Sequence, residues 1–213
     1  MIPCFNTHIY INTLINLLRK KTSLDILVYD DGSSPKLHLN KEYKNVKFLR
    51  NNKNKGKGYT LHKGFMYAKK NNYSHVITMD GDMQHSPDDI IDFISEGSRI
   101  DFLFGSRRLS QPMPIHRILS NKITSFIISV LKNFTINDSQ CGFRRYKVSS
   151  LNLSTIVNHG YLYETELILN SLNSNMTIKN VNIKTVYEDS PSNINNIKDT
   201  LSFIKLIFRY IFV

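Results

Sequence analysis

Cysteine is nearly absent from this sequence. Cys4 and Cys141 are the only two in 213 residues, far apart and without metal-ligand spacing. That excludes a disulfide framework and fits a reducing cytosol. Long hydrophobic runs are missing as well. No stretch of about 18 apolar residues occurs, so no membrane-crossing helix is expected. No basic segment followed by an apolar one opens the chain, so no signal peptide is expected. Acidic residues are few: 17 Asp and Glu stand against 28 Lys and Arg, a formal net charge of +11. Such a balance suits nucleic acid, an anionic membrane surface or a phosphorylated substrate. The cations are spread along the chain, and no zinc-finger, homeodomain or RNA-recognition signature accompanies them. A membrane surface plus a phosphate is therefore the preferred explanation, and nucleic acid is not expected as a partner. Internal repeats and low-complexity tracts are also lacking.

What is there is an ordinary globular composition, 41% hydrophobic and 21% charged, long enough for one sizeable core. The expected division is one domain over 1–190 and an apolar C-terminal helix over 191–213. The chain is organised around Val76-Ile77-Thr78-Met79-Asp80-Gly81-Asp82-Met83-Gln84-His85-Ser86-Pro87. A short apolar run reads as a buried strand ending in two carboxylates one residue apart. In extended backbone, residues i and i+2 point the same way, so Asp80 and Asp82 converge. With the Gln84 amide oxygen they are hard ligands, suited to Mg²⁺ or Mn²⁺ holding a diphosphate. The plainer alternative is that they solvate a turn and cap the helix that follows. His85 reads as a turn residue or a further ligand.

In order along the chain, Met1 to Asn6 looks like a strand end, with only two residues before Pro3: a first strand that is short or truncated. Ile11, Leu14, Ile15 and Leu18 carry a helical period. Asp25 to Tyr29 is a strand ending in Asp30-Asp31-Gly32-Ser33-Ser34-Pro35. Asn45 to Leu49 is another, followed by a polar loop into a helix with Leu61, Phe65, Met66 and Ala68 on its inner side. Gly56-Lys57-Gly58 in that loop suggests close backbone approach to a phosphate or sugar, without P-loop spacing. A helix over 87–96 and a strand over 101–104 ending in Gly105-Ser106-Arg107-Arg108 complete an alternation of strands and helices. The alternation implies an α/β sandwich with a mostly parallel sheet. Its chemistry-bearing strand ends, Asp30-Asp31, Asp80-x-Asp82 and Ser106-Arg107, then share one sheet edge.

Past residue 109 the texture changes. Pro112 and Pro114 break the chain, and 117–132 is a helix carrying Ile118, Ile123, Phe126, Ile127, Val130 and Leu131, set in the core or on a membrane. Asn137 to Arg145 is a polar turn entering another element. Gly160 to Leu167 opens a helix with Glu164 and Glu166 in its first turn, and 181–187 is a late strand. The apolar segment 199–213 either completes the core or lies in the bilayer interface with Lys205 and Arg209 reaching lipid phosphates. His8, His38, His62, His75 and His159 fall in no cluster. Cys141 reads as a small buried hydrophobe.

Taken together, Ile2-Pro3-Cys4-Phe5-Asn6, Tyr29-Asp30-Asp31-Gly32-Ser33, Asn54-Lys55-Gly56-Lys57-Gly58, Asp80 to Pro87, Gly105-Ser106-Arg107 and Asp138-Ser139-Gln140-Cys141-Gly142-Phe143-Arg144 resemble a family-2 glycosyltransferase. The resemblance implies the GT-A fold, a Rossmann-like three-layer α/β/α sandwich with a mostly parallel central sheet. Within the family the chain is similar to the dolichyl- and polyprenyl-phosphate sugar transferases, the dolichyl-phosphate mannose synthase-like branch. That implies a nucleotide-diphosphate sugar donor and a lipid-linked phosphate acceptor of undecaprenyl or dolichyl type. It also implies inversion, Mg²⁺ or Mn²⁺, and a peripheral place on the cytoplasmic membrane face.

By the same resemblance, Pro3, Phe5, Asn6, Asp30 and Asp31 line the nucleotide pocket, and Lys57, Asp80 and Gly81 complete the donor site. Asp80, Asp82 and Gln84 hold the metal. Arg107, Arg117, Arg144 and Glu164 serve the acceptor, and Asp82, Arg107 and Asp138 are the catalytic candidates. An acceptor phosphate needs no general base, whereas a glycan hydroxyl in cell-surface polysaccharide assembly needs one, with Asp138, Glu164 and Glu166 as candidates. A non-catalytic binding protein is the remaining alternative. The chain departs from the pattern at Thr7, where an acid is usual, and over Thr185 to Pro191.

Overall fold

The computed structural model describes residues 1–108, 113–184 and 196–212. Strands and helices alternate: β1 (Ile2–Cys4), α1 (Ile11–Lys21), β2 (Ile26–Asp30), β3 (Val46–Arg50), α2 (Lys57–Lys70), β4 (His75–Thr78), a 3₁₀ turn at Pro87–Asp89 running into α3 (Ile90–Ser95), then β5 (Phe102–Arg107). The second half holds α4 (Ile115–Lys132), β6 (Arg144–Lys147), α5 (Tyr163–Ser171), β7 (Ile178–Ile183) and α6 (Asn196–Phe212).

β1, β2 and β3 form one parallel ladder with Ile2 opposite Val28 and Val28 opposite Phe48. β4, β6, β5 and β7 form a second, in which β6 runs antiparallel to both neighbours and β5 runs parallel to β7. The ladders join through Met1, whose nitrogen donates to the Ile77 carbonyl (2.6 Å) and whose carbonyl accepts from Met79 (3.1 Å). The layer therefore reads β3-β2-β1-β4-β6-β5-β7. The short first strand is third of the seven, flanked on both sides.

Alternation along β5 sorts the two cores. Phe102 and Phe104 face a cluster built by Leu61, Phe65, Ile128, Tyr163, Leu167, Phe203 and Leu206, whereas Leu103 faces the other, with Ile11, Leu14, Ile15, Ile90 and Phe93. Period-2 alternation is what a strand covered by helices on both faces must do. The three-layer sandwich expected from the sequence is thus the one observed. The four apolar residues of α1 are buried as expected.

Several details differ. Gly105, Ser106 and Arg107 lie inside β5, because β7 continues the ladder as far as Arg107 opposite Ile183. Met66 is exposed, one position round from the buried stripe of α2. The described part of the last strand ends at Ile183, and Pro112, Thr185 to Pro191 and the boundary at 190–191 lie outside the described residues.

α4 buries a mixed face, with Ile128 in the first core cluster and Ile127 and Leu131 partly buried against it. Its buried face is Asn121, Ser125 and Ile128, while Ile115, Leu119, Ile123, Phe126 and Val130 point outward. α6 splits its apolar residues between the core and the outside. Phe203 and Leu206 are buried, and Leu201, Ile204, Phe208, Ile211 and Phe212 are exposed. The two helices meet where Lys132 Nζ donates to the Tyr210 hydroxyl at 2.7 Å.

Candidate functional site

The strand ends expected to share an edge do share it, because β1, β2, β4 and β5 all run in one direction and β6 returns to them. β4 stops at Thr78, and Met79 to Asp82 continue toward β1, so that a Cβ at Gly81 would lie 3.1 Å from the Cys4 sulfur. The β6 entry loop presses on the same point: Thr78 Oγ1 donates to the Gly142 carbonyl (2.8 Å), and any side chain at Gly142 would run into the Asp80 carboxylate. Glycine there makes room for the carboxylate.

Asp80 is held by two basic side chains, Lys57 and His85, and Lys57 links it to a further pair. Lys57 Nζ at the start of α2 lies 2.6 Å from Asp80 Oδ1 and 3.3 Å from Glu164 Oε2 on α5. Arg144 Nη1 on β6 lies 3.3 Å from Glu164 Oε1, and buried His85 has Nε2 3.7 Å from Asp80 Oδ2. The His85 Nδ1 is buried without a partner among the described residues. Burial alone would raise the Asp80 carboxyl, but Lys57 and His85 together pull it well below the carboxylate range. Asp82 moves the other way, raised by burial and then by the Asp80 charge, with one hydrogen bond from the Gln84 nitrogen (3.1 Å) opposing. Two carboxylates one residue apart at a strand end form a hard-oxygen pair fitting Mg²⁺ or Mn²⁺. Among the described residues no group of three His, Cys, Asp or Glu side chains could hold a metal ion. An ion here would therefore draw further ligands from elsewhere, such as the Gln84 amide or a bound diphosphate.

Asp30 and Asp31 are inside the protein. Asp30 accepts from the Ser33 nitrogen (3.0 Å) and from Arg50. Asp31 accepts from Asn51 Nδ2 (2.8 Å), the Lys55 nitrogen (2.9 Å) and the Gly56 nitrogen (2.8 Å). Those bonds fix the loop that ends at Gly56, whose φ of 93° precedes the first residue of α2. Asp31 therefore aims Lys57. Pro3 is buried beneath the site, Phe5 is half-exposed beyond it, and Asn6 accepts from the Ser34 nitrogen (3.0 Å). Thr7, where an acid is usual, uses its carbonyl to open α1, accepting from Ile11 (3.0 Å).

On the far side of β6, Arg107 forms a two-pronged pair with Asp138: Nε to Oδ2 at 2.7 Å and Nη2 to Oδ1 at 3.0 Å. Asn121 Nδ2 (2.6 Å) and the Gln140 nitrogen (3.2 Å) also donate to Oδ1. Burial would raise the Asp138 carboxyl, but these donors, Arg107 foremost, hold it below its usual range. A fully buried carboxylate with this many donors cannot collect a proton from a substrate, so Asp138 is an orienter of Arg107 rather than a base.

Glu166 is corrected for the same reason: it is fully buried and accepts from the Val157 nitrogen (3.2 Å), Asn158 (2.7 Å) and Arg209. Arg209 is thereby tied to Glu166 while 42% of its side chain stays exposed. Arg144 is buried too, donating to the Ser139 carbonyl (2.6 Å) with its guanidinium 5.7 Å from the Phe104 ring centre and Glu164 as its carboxylate partner. Arg117 lies half-buried in the first turn of α4.

Sequence reading missed Asn121, Arg50 and Asn51, which hold Asp138, Asp30 and Asp31. None carries a local signal, since each partner lies 17 or 20 residues away. It also scattered His62 and His159, whose rings pack 5.6 Å apart beside Tyr163.

Comparison with known proteins bears on this geometry. Residues 1–154 match the profile described as glycosyl transferase family 2. An uncharacterized protein of Methanocaldococcus jannaschii is 30% identical over all of this chain and 98% of its own length. A UDP-N-acetylglucosamine–dolichyl-phosphate N-acetylglucosaminyltransferase of Methanococcus voltae is 27% identical over 89% of this chain and 85% of its own. Among solved structures, glucosyl-3-phosphoglycerate synthase of Mycobacterium tuberculosis bound to UDP superposes with a TM-score of 0.71 at 13% identity, over 98% of this chain and 78% of that one. Other structures of that synthase hold Mn²⁺ or Mg²⁺ beside UDP.

Proposed function

The chain belongs to glycosyltransferase family 2, and from that premise we propose that it transfers a hexose from a nucleotide-diphosphate sugar to a polyprenyl-type lipid phosphate, with inversion and with Mg²⁺ or Mn²⁺. The observation that carries the acceptor class is the state of the carboxylates at this edge. Asp138 and Glu166 are buried and saturated, and Glu164 is paired with both Lys57 and Arg144. None of these three candidates is free to deprotonate a hydroxyl. An acceptor phosphate is already an anion and needs none, and the names of relatives in Methanococcus voltae and Mycolicibacterium smegmatis are consistent with it.

The division of labour follows from charge. Asp80 and Asp82, with Gln84, would hold the divalent ion. That ion supplies Lewis-acid stabilisation of the leaving diphosphate. Pro3, Phe5, Asn6, Asp30, Asp31 and Gly81 would frame the nucleotide, the two aspartates by shaping loops rather than by direct contact. Arg107, fixed by Asp138, would present the acceptor phosphate for in-line attack at the sugar C1, with Arg117 nearby on α4.

A lipid acceptor also requires a surface on which to meet it. The outward apolar stripes of α4 and α6 supply one, suited to the interfacial zone of the cytoplasmic membrane face. Among the described residues no helix is long and apolar enough to cross a membrane.

The test is to incubate the protein and Mn²⁺ with UDP- and GDP-linked hexoses and short polyprenyl phosphate, and to follow lipid-linked sugar by mass spectrometry. A sugar–phosphate–lipid product is expected. Transfer only to a glycan hydroxyl would overturn the acceptor assignment.

A further inference from the structure

We propose that Lys57 is a built-in stand-in for the divalent ion. Its ammonium neutralises Asp80 in the ligand-free enzyme, yields that carboxylate when the ion enters, and then pairs with the donor diphosphate. This rests on the donor-site reading above.

Three carboxylates, Asp80, Asp82 and Glu164, face two long cations, Lys57 and Arg144. Only one of the cations is free to leave. Arg144 is pinned by the Ser139 carbonyl, the Tyr146 hydroxyl and the Phe104 ring. Among the described residues Lys57 forms ion pairs with these two carboxylates, and its side chain keeps a third of its surface in solvent. Lysine carries a compact charge on a four-carbon stem, so its head relocates at low cost.

Its place in the chain supports the exchange. Lys57 is the first residue of a 14-residue helix, where the partial positive charge of the helix end adds to its own. A metal ion at Asp80 would stand against both charges and repel the ammonium from its 2.6 Å contact. A diphosphate reaching the same point would attract both. Glu164, 3.3 Å from Nζ, gives the displaced head a second anchor on the α5 side. The consequence is reciprocal coupling: the ion binds weakly alone and tightly with a diphosphate, and each raises the affinity of the other by the same factor.

The experiment is calorimetric titration of Mn²⁺ into wild type, K57M and K57R, each with and without inorganic pyrophosphate, which presents a diphosphate without committing to a base. K57M should bind Mn²⁺ alone about tenfold tighter than wild type, the scale of losing one competing charge at a partly exposed site. The tightening that pyrophosphate brings should shrink in K57M and persist in K57R. Should K57M fail to fold by circular dichroism, K57Q takes its place. Equal or weaker Mn²⁺ binding by the neutral variant, in a protein whose wild type does bind Mn²⁺ with pyrophosphate, overturns the stand-in and leaves the donor site intact. No Mn²⁺ binding by any variant, with pyrophosphate or without, overturns the donor-site reading and the stand-in with it.

Discussion

Asp80 and Asp138 each face a long basic side chain at the same sheet edge, yet the two pairs are built differently. Asp138 is fully buried, meets Arg107 in two-pronged fashion, and takes further hydrogen bonds from Asn121 and Gln140. Asp80 meets Lys57 through one oxygen and keeps about a quarter of its side chain exposed, at 26%. Beside it Asp82 has its carboxyl raised, by burial first and then by the Asp80 charge. A saturated pair is a fixture that positions its cation. An under-satisfied pair is a socket, and its strength is spent on whatever cation arrives next.

The sharpest way to break this contrast is Asp138→Ala. Removing the carboxylate that Arg107 and Asn121 share should cost about 3–5 kcal/mol of stability, read as a fall in the denaturant midpoint. Asp82→Ala should leave that midpoint within about 1 kcal/mol while lowering kcat/KM by about 10²–10³-fold, the scale of removing one group that stabilises transition-state charge. If Asp82→Ala unfolds the protein as Asp138→Ala does, the distinction between fixture and socket is wrong.

Arg107→Lys sharpens the fixture side. It keeps the charge and loses the fork, so the KM for lipid phosphate should rise about tenfold with the donor KM unchanged. Steady-state kinetics with each substrate varied in turn separates the two.

The pH dependence should differ in sign between the carboxylates. Asp138 is held below its usual range, so its contribution to stability is complete above about pH 4, the unfolded value, and is lost as pH falls through its folded value. The stability gap between wild type and Asp138→Asn should therefore stay level from neutral pH down to about 5 and narrow below about 4. Asp82 is raised, so its ionisation costs stability above the carboxylate range and the cost fades as pH falls. Asp82→Asn should be at least as stable as wild type at neutral pH and lose that advantage in acid. Urea midpoints across pH report both.

The smallest expected effect concerns the outer helices. Phe126→Ser and Phe208→Ser remove exposed rings, so the denaturant midpoint should move by no more than about 0.5 kcal/mol. Binding to vesicles containing anionic lipid should weaken by about 1.5–3 kcal/mol per ring if each ring is buried there. Unchanged sedimentation with vesicles would remove these faces from the membrane surface.

Much of the fold was legible because its signals are local. The apolar period of α1, the alternation in β5 and the turn clusters after β2 and β4 each act within a few residues, and steric and solvation preferences at that range are carried by the residues themselves. The order of motifs likewise reached the family. α4 shows the limit. Its apolar residues were visible, but whether they face in or out depends on Asp138 and Ser139, which draw Asn121, Ser125 and Thr124 inward through hydrogen bonds. Buried polar groups must be paired, and that requirement places Asn121 and Ser125 inside beside Ile128.

The candidate site divides along the same line. Which residues could carry charge at the strand ends was written in Asp30-Asp31, Asp80-Gly81-Asp82 and Ser106-Arg107, since a parallel sheet brings such ends to one edge. Which of those charges are already spent was not. Arg50 on Asp30, Asn51 on Asp31, Asn121 on Asp138, and Lys57 between Asp80 and Glu164 are pairings between distant parts of the chain. The sequence by itself determined the fold class, the family and the set of ionisable groups at the edge. Only the tertiary structure decided which are fixtures and which are sockets, because desolvation and hydrogen-bond saturation belong to the packed neighbourhood of a group and not to its place in the chain.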